Sequence, residues 1–295
     1  MNNIIILIPL FIYLFYIIFI KEYRIKRPGF SNEYNNISLE NIIKKNINFP
    51  TVKKNIIFFF SVSYDIIPSY YEKSFEIFSY YCNLHNYKLF FFNHYKENHK
   101  MSPIWIRVAD FIKLTNQYEE SPNTIFVYLD IDTFINPKYL NVKISNIINS
   151  VDRIDNYYND IYIGNDPVYE SNAGVIIVKN TKWSKKFLKH WLSKYNTNNW
   201  KFKDNKWTCK RDKFIFNIPY KSECYWGEDD YEQGEFNSIY RNNELNSQNH
   251  IKILHHSLIS NNCINIDSFI YHFYAKDKIG NINEMHKKFI QYLNK

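Results

Sequence analysis

The apolar run Ile125-Phe126-Val127-Tyr128-Leu129 ends abruptly in Asp130-Ile131-Asp132, and this junction constrains the fold more than any other feature of the chain. A short uncharged run rich in branched and aromatic side chains reads as a strand buried on both faces. Residues 55–61 read the same way, and residues 87–93 read as a second strand, with a helical stretch over 69–85 between them. Ser102 and Pro103 form an N-cap and N1 pair that opens a helix reaching about Tyr118. Residues 160–164 and 174–178 predict two further strands, and residues 181–195 a helix. In that helix Trp183, Phe187, Trp191 and Tyr195 share the inward face, while Lys182, Lys185, Lys186 and Lys189 face water. Strand alternating with helix predicts an α/β fold, a Rossmann-like, doubly wound and mostly parallel sheet that meets its ligand at the strands' carboxyl ends.

In extended backbone, residues i and i+2 point the same way, so Asp130 and Asp132 aim together while Ile131 packs inward. Two carboxylates at a strand end make a hard, oxygen-rich site suited to Mn²⁺ or Mg²⁺. Such an ion can bridge to a diphosphate and stabilise charge on a leaving group. Taken alone, Asp-x-Asp describes a solvated turn equally well. Its place directly after a buried strand is what distinguishes it.

Composition removes several other readings. Only 6 of 295 residues are Gly, and neither GxGxxG nor GxxxxGK[ST] occurs, so the common Gly-rich phosphate loops are absent from the sequence. The net charge of +8 suits nucleic acid, an anionic membrane or a phosphorylated substrate. Its lysines are scattered and no finger or RGG pattern is present, so a nucleic-acid partner is not expected. Cys82, Cys209, Cys224 and Cys263 lack CxxC spacing. A Cys209–Cys224 bridge and four reduced thiols both satisfy the sequence.

Residues 4–20 are apolar apart from tyrosines and a single proline, near the lower limit for a bilayer span. No basic n-region precedes the run and no small-x-small site follows it, which favours an uncleaved signal anchor over a cleaved peptide. The expected organisation is an anchor helix at 1–20, a polar stem at 21–54 and one catalytic domain at 55–295. Lys21, Arg24, Lys26 and Arg27 follow the span and would hold the domain in the cytoplasm by the positive-inside rule. A sequon at Asn36-Ile37-Ser38 fits a lumenal stem instead.

Four further features fall in order along the chain. Arg107 and Asp110 lie one turn apart on the helix before the Asp130 strand, Asn172-Ala173-Gly174-Val175 opens a strand, Gly227 to Gln233 is an acidic turn entering a helix, and Tyr271-His272-Phe273 follows an apolar run. Together with Tyr128-Leu129-Asp130-Ile131-Asp132, this set resembles the GT-A nucleotide-diphospho-sugar transferases. It is similar in particular to the galactosyl/mannosyltransferase family of yeast Golgi mannosyltransferases and plant xyloglucan xylosyltransferases. The likeness spans residues 55–275, and its most distinctive piece is Asn172 to Asn180 with Trp183-Ser184.

That resemblance implies a retaining hexosyl- or pentosyltransferase that takes a UDP- or GDP-sugar as donor and a glycan or glycoprotein as acceptor, with Mn²⁺ (or Mg²⁺) as cofactor. It makes Asp130, Asp132 and His272 the metal residues, with Asp130 also reaching the ribose. Arg107, Asp110, Asn172 and Gly174 would line the donor site, the last two at the sugar. Gln233, with Glu232 or Asp230, would stand at the anomeric carbon. It also implies a Golgi or ER lumen, against the charge argument above. Two departures from the family pattern are Gly234-Glu235 after Glu232-Gln233, and Tyr274-Ala275 after His272-Phe273.

Each of these residues has a plainer reading. Arg107 and Asp110 suit a surface i,i+3 ion pair, Glu232 suits the positive end of its own helix, and His272 suits a hydrogen-bonded core histidine. A rival enzyme class also exists. Leu129-Asp130-Ile131-Asp132-Thr133 fits the first motif of haloacid-dehalogenase-like phosphatases, with Asp130 as nucleophile and Asp229-Asp230 as a later acidic pair. That motif closes the first strand of its fold, whereas two strands precede Asp130 here. An inactive membrane adaptor on the same fold is the third possibility.

Overall fold

A computed structural model describes residues 55–95, 100–155, 157–166, 169–204, 206–215, 218–274 and 277–295. The expected anchor and stem lie outside the described residues. Among the described residues no helix is long and apolar enough to cross a membrane.

The first half alternates as its apolar runs require. In chain order it forms β1 (Ile56–Val62), α1 (Ser69–His85), β2 (Lys88–Asn93), α2 (Pro103–Gln117), β3 (Ile125–Leu129), β4 (Thr133–Ile135) and α3 (Ile144–Asp155). Then follow β5 (Ile161–Gly164), β6 (Asn172–Lys179), α4 (Lys182–Ser193), β7 (Trp200–Lys203), β8 (Lys206–Ile215) and β9 (Ile218–Glu223). The chain closes with α5 (Glu232–Arg241), β10 (Ile251–Leu254), β11 (Ile259–Asn261), β12 (Ile270–His272) and α6 (Lys278–Leu293).

Six strands form the central sheet in the order β10-β5-β6-β3-β1-β2, and only β6 runs against the others. This is the mostly parallel α/β sheet of the GT-A fold. Every residue of β1 and β3 is buried, because helices cover both faces. Alternation in β1 serves the two layers. Phe58 and Phe60 meet Phe78 of α1, while Phe59 packs edge-on against Phe111 of α2 with centroids 4.8 Å apart. Each such ring contributes roughly 1.5–3 kcal/mol relative to exposure.

Local signals set the helix ends. Asn86 adopts the left-handed conformation (φ 56°) and stops α1, its N–H returning to Asn83 and Cys82 carbonyls. A reciprocal Thr181–Ser184 capping box starts α4. Ser102 occupies the N-cap of α2, yet its buried hydroxyl makes no capping bond. That helix start rests instead on Pro103 and on the Ser102 carbonyl, which accepts from Trp105 and Ile106. On α4, Phe187 and Trp191 are fully buried, and Trp183 stacks on His250.

Cys209 of β8 and Cys224, just after β9, are joined by a disulfide with Cα atoms 5.3 Å apart. Closing a loop of about 15 residues stabilises a fold by about 3 kcal/mol in the chain-entropy account. Reductant should therefore lower the melting temperature by several degrees, read by differential scanning fluorimetry, and should leave a Cys209→Ser/Cys224→Ser variant unaffected. Equal melting of the wild type with and without reductant would show that the bridge adds no stability.

Candidate active site

Two pairings bring distant residues to the carboxyl end of β3, inside the sheet. Because β6 is reversed, its first residues lie beside the end of β3, with Leu129 opposite Val175 and the Asp130 N–H bonded to the Gly174 carbonyl at 2.8 Å. Directly after Asp132, β4 pairs with β12 so that Thr133 stands opposite His272. The Asp132 carbonyl accepts from Phe273 N–H at 2.9 Å, and the Thr133 hydroxyl donates to the Asp130 carbonyl at 2.6 Å. The Asp-x-Asp turn is thus pinned from both sides.

One donor atom each from Asp130, Asp132 and His272 lies within 4.8 Å of the others, close enough to hold a metal ion. His272 Nε2 is 3.4 Å from Asp130 Oδ2 and 3.2 Å from Asp132 Oδ1. Its other nitrogen, Nδ1, sits 2.7 Å from Asn172 Oδ1. That amide oxygen also accepts from Gly174 N–H at 2.9 Å, while the Asn172 amide nitrogen donates to Asp166 Oδ2 at 3.4 Å. Nδ1 therefore donates to Asn172, which leaves Nε2, the nitrogen facing the two carboxylates, as the one that would ligate a metal once its own proton is lost. A Cβ on Gly174 would lie 2.1 Å from His272 Nδ1. The glycine thus makes room for the imidazole, a role its place in the sequence did not reveal.

Arg107 organises the other side. Its Nη1 is 3.1 Å from Asp130 Oδ1 and 3.6 Å from Glu232 Oε1, and it donates to the Ala173 carbonyl at 3.3 Å. Its guanidinium stands 4.8 Å from the Tyr128 ring centroid, and the Tyr128 hydroxyl donates to Asp130 Oδ1. Burial works against a charge on Asp130, but Arg107 and His272 overcome it and hold the carboxyl well below its usual range. Burial likewise opposes charge on His272, yet Asp132 and Asp130 lift its pKa to about 9. Without metal, an imidazolium thus supplies positive charge between the two aspartates. For Glu232 the balance tips the other way, because burial outweighs the pull of Arg107 and raises its pKa.

Gln233 accepts the Ala173 N–H through Oε1 at 2.8 Å. Gln233 Nε2, Glu232 Oε2 and Arg107 Nε are all buried without a protein partner. Buried polar atoms normally have partners, so these three neighbours call for a water, an ion or a ligand to complete their bonding. Lys278, at the start of α6, puts Nζ 3.4 Å from Asp132 Oδ2 and is half-buried. Among 37 Lys and Arg residues nothing in the sequence singled it out.

Asp110, expected at the donor, and Asp230, expected with Gln233 at the anomeric carbon, take partners outside the Asp130–Asp132–His272 cluster. Asp110 does not pair with Arg107. Its Oδ2 takes the Ser61 hydroxyl at 2.7 Å and His94 Nε2 at 2.8 Å, because the helix turn that aims Arg107 at β3 aims Asp110 at the ends of β1 and β2. Asp230 is bound by Asn199 at 2.7 Å and Arg211 at 3.3 Å, while its carbonyl takes the Trp105 and Trp200 indoles. It braces the β7–β9 sheet against α2, and Glu232 is the acidic residue of that stretch that reaches Arg107.

No protein-family model matches the sequence, and no curated protein matches it. A solved structure does share the fold: a glycosyltransferase involved in the glycosylation of the major capsid of PBCV-1. The two are 17% identical and superpose with a TM-score of 0.51, over 79% of this chain and 99% of that one.

Proposed function

We propose that the chain is a retaining, metal-assisted glycosyltransferase that moves a hexose or pentose from a nucleotide-diphosphate sugar to a glycan acceptor. The observation that carries this reading is the gathering of Asp130, Asp132 and His272 at the carboxyl end of β3, on a fold shared with a solved glycosyltransferase. Two carboxylate oxygens and an imidazole nitrogen suit Mn²⁺, with Mg²⁺ second because it favours an all-oxygen shell. Held by these three residues, the ion would neutralise the diphosphate and stabilise charge on the leaving group.

The remaining work falls to other side chains. Lys278 adds a cation at the exposed margin of Asp132, where a phosphate oxygen can reach it. Arg107 keeps Asp130 ionised and fixes Glu232 beside it. Gln233 offers its unpartnered amide nitrogen to the donor sugar near the anomeric carbon. Retention is the stereochemistry the resemblance implies: the acceptor attacks from the face the leaving phosphate vacates, and that phosphate takes the proton. Asp130 closes the third strand of the domain and is held by Tyr128 and Arg107, which favours a site anchor over a phosphatase nucleophile.

Incubation of the full chain with UDP-glucose, UDP-galactose, UDP-xylose and GDP-mannose in the presence of Mn²⁺ should release a nucleoside diphosphate from at least one. Release of phosphate from p-nitrophenyl phosphate, lost in Asp130→Asn, would overturn the proposal in favour of the phosphatase.

The same reading puts the domain in a secretory lumen, despite Lys21 to Arg27. The Cys209–Cys224 disulfide supports this, because such bridges persist in oxidising compartments. Expression in a eukaryotic host should yield glycan at Asn36. Digestion of the domain by protease added outside sealed microsomes would place it in the cytoplasm instead.

A further inference from the structure

Three aromatic side chains gather beside the site without a part in it. Tyr169 and Trp226 meet edge to face with centroids 4.4 Å apart, and Tyr225 stands 5.5 Å from Trp226 and 6.5 Å from Tyr169. Tyr225 is 52% exposed and the other two are half-buried, so the rings are open to solvent and yet supported.

The support is specific. A Cβ on Gly227 would lie 2.2 Å from the Tyr169 ring, so that ring packs directly on the glycine backbone. Tyr225 N–H donates to Glu228 Oε2 at 2.9 Å, and Glu228 N–H returns to the Tyr225 carbonyl at 2.8 Å. Arg211 and Lys213 of β8 anchor the Glu228 carboxylate at 2.5 and 2.9 Å, and the disulfide at Cys224 fixes the entry to the turn. Rings held this firmly present a face at little entropic cost on binding.

Both edges of the patch belong to the candidate active site. On one side, Tyr169 N–H donates to Asp166 Oδ1 at 3.0 Å, and the other oxygen of Asp166 takes the Asn172 amide that orients His272. On the other side, a Cβ on Gly234 would lie 2.0 Å from the Glu228 carbonyl oxygen. The first turn of α5, which carries Glu232 and Gln233, therefore rests on the turn that carries Tyr225 and Trp226.

We infer that Tyr169, Tyr225 and Trp226 form the acceptor subsite, a platform on which a pyranose ring of the acceptor glycan stacks next to the donor sugar. This rests on the glycosyltransferase reading above. A pyranose has an apolar C–H face and a hydroxylated rim, and the electron-rich face of an aromatic ring attracts polarised C–H bonds. The rim matches in kind: the neighbouring Tyr169 and Tyr225 hydroxyls can bond the sugar's own hydroxyls. Burial, with Tyr225 adding to it, pushes the Tyr169 hydroxyl up to about 12, so it remains a donor at neutral pH. A protein partner is a poorer fit, because three rings are far smaller than the roughly 800 Å² a stable protein interface takes from each side.

Saturation-transfer NMR on the full chain, with the methyl glycosides of mannose, galactose, glucose and xylose as probes, tests the platform without any need for turnover. These probes carry no aromatic group, so transfer reports stacking of the sugar itself. At least one should bind, with transfer concentrated on its ring C–H protons. Trp226→Ala and Tyr225→Ala should each weaken that probe by about tenfold, and Trp226→Phe by about twofold or less. Because Tyr225 is exposed, its truncation keeps the test valid if Trp226→Ala fails to fold. No transfer to any of the four probes, or unchanged affinity in Tyr225→Ala, would overturn the inference. Binding that follows these variants in a protein that cleaves no nucleotide sugar would leave the platform standing and sink the donor reading alone.

Discussion

Asp132→Ala and His272→Ala should each slow donor cleavage by about a thousandfold at saturating nucleotide sugar, because loss of metal charge on the leaving diphosphate costs several kcal/mol. The double variant should be little worse than either single one, since the two residues act as one unit. Proton competition adds a pH signature. His272 must lose its proton to bind metal, and its pKa of about 9 makes metal affinity fall about tenfold per pH unit below that value. Stability runs the opposite way. The folded-state pKa of His272 is raised from 6.5, so its contribution in metal-free protein is complete below pH 6.5 and fades as pH climbs through 9. Removal of His272 should therefore lower the metal-free melting temperature at pH 6 more than at pH 9. A cleavage rate in His272→Ala within tenfold of wild type would remove the histidine from the metal site.

The second large effect belongs to a residue that bonds no ligand through a side chain. Gly174→Ala adds one methyl group, yet that carbon would stand 2.1 Å from His272 Nδ1 and 2.6 Å from its Cγ. The ring must turn away, and the bond from Nδ1 to Asn172 Oδ1 breaks with it. Asn172→Ala loses the same bond without a clash. Outer-shell partners of this kind are worth about 10–100-fold in metal affinity, so Asn172→Ala should fall in that range and Gly174→Ala beyond it. Mn²⁺ affinity of both variants, measured by isothermal titration calorimetry, checks the order. Wild-type affinity in Gly174→Ala would mean the imidazole does not need that space.

Much of the fold was legible because it depends on uncharged runs. β1, β3 and β5 are buried on both faces and read directly from residues 55–61, 124–129 and 160–164. α1 was legible from Ser69 to His85, and the structure adds what stops it, the left-handed turn at Asn86. The β7–β9 sheet was not legible: Lys201, Lys203, Lys206 and Lys210 interrupt its apolar residues, and its bridge lies between cysteines in no motif spacing. At the site, Asp130, Asp132 and His272 were found through their order along the chain. Asp110 and Asp230 were chosen by the same logic, but the partners each carboxylate takes, Ser61 and His94 for one and Asn199 and Arg211 for the other, depend on packing. The role of Gly174 and the approach of Lys278 depend on contacts 98 and 146 positions apart in sequence, which no local pattern encodes.

The central claim is that Asp130, Asp132 and His272 hold one divalent ion together with a nucleoside diphosphate. Electron paramagnetic resonance of free Mn²⁺ during titration of the full chain tests it most directly. The account predicts one Mn²⁺ bound per chain, tighter with UDP or GDP present, and abolished in Asp132→Ala and His272→Ala. Mn²⁺ that stays free in the wild type at every UDP and GDP concentration, or that binds His272→Ala as tightly as wild type, would contradict it.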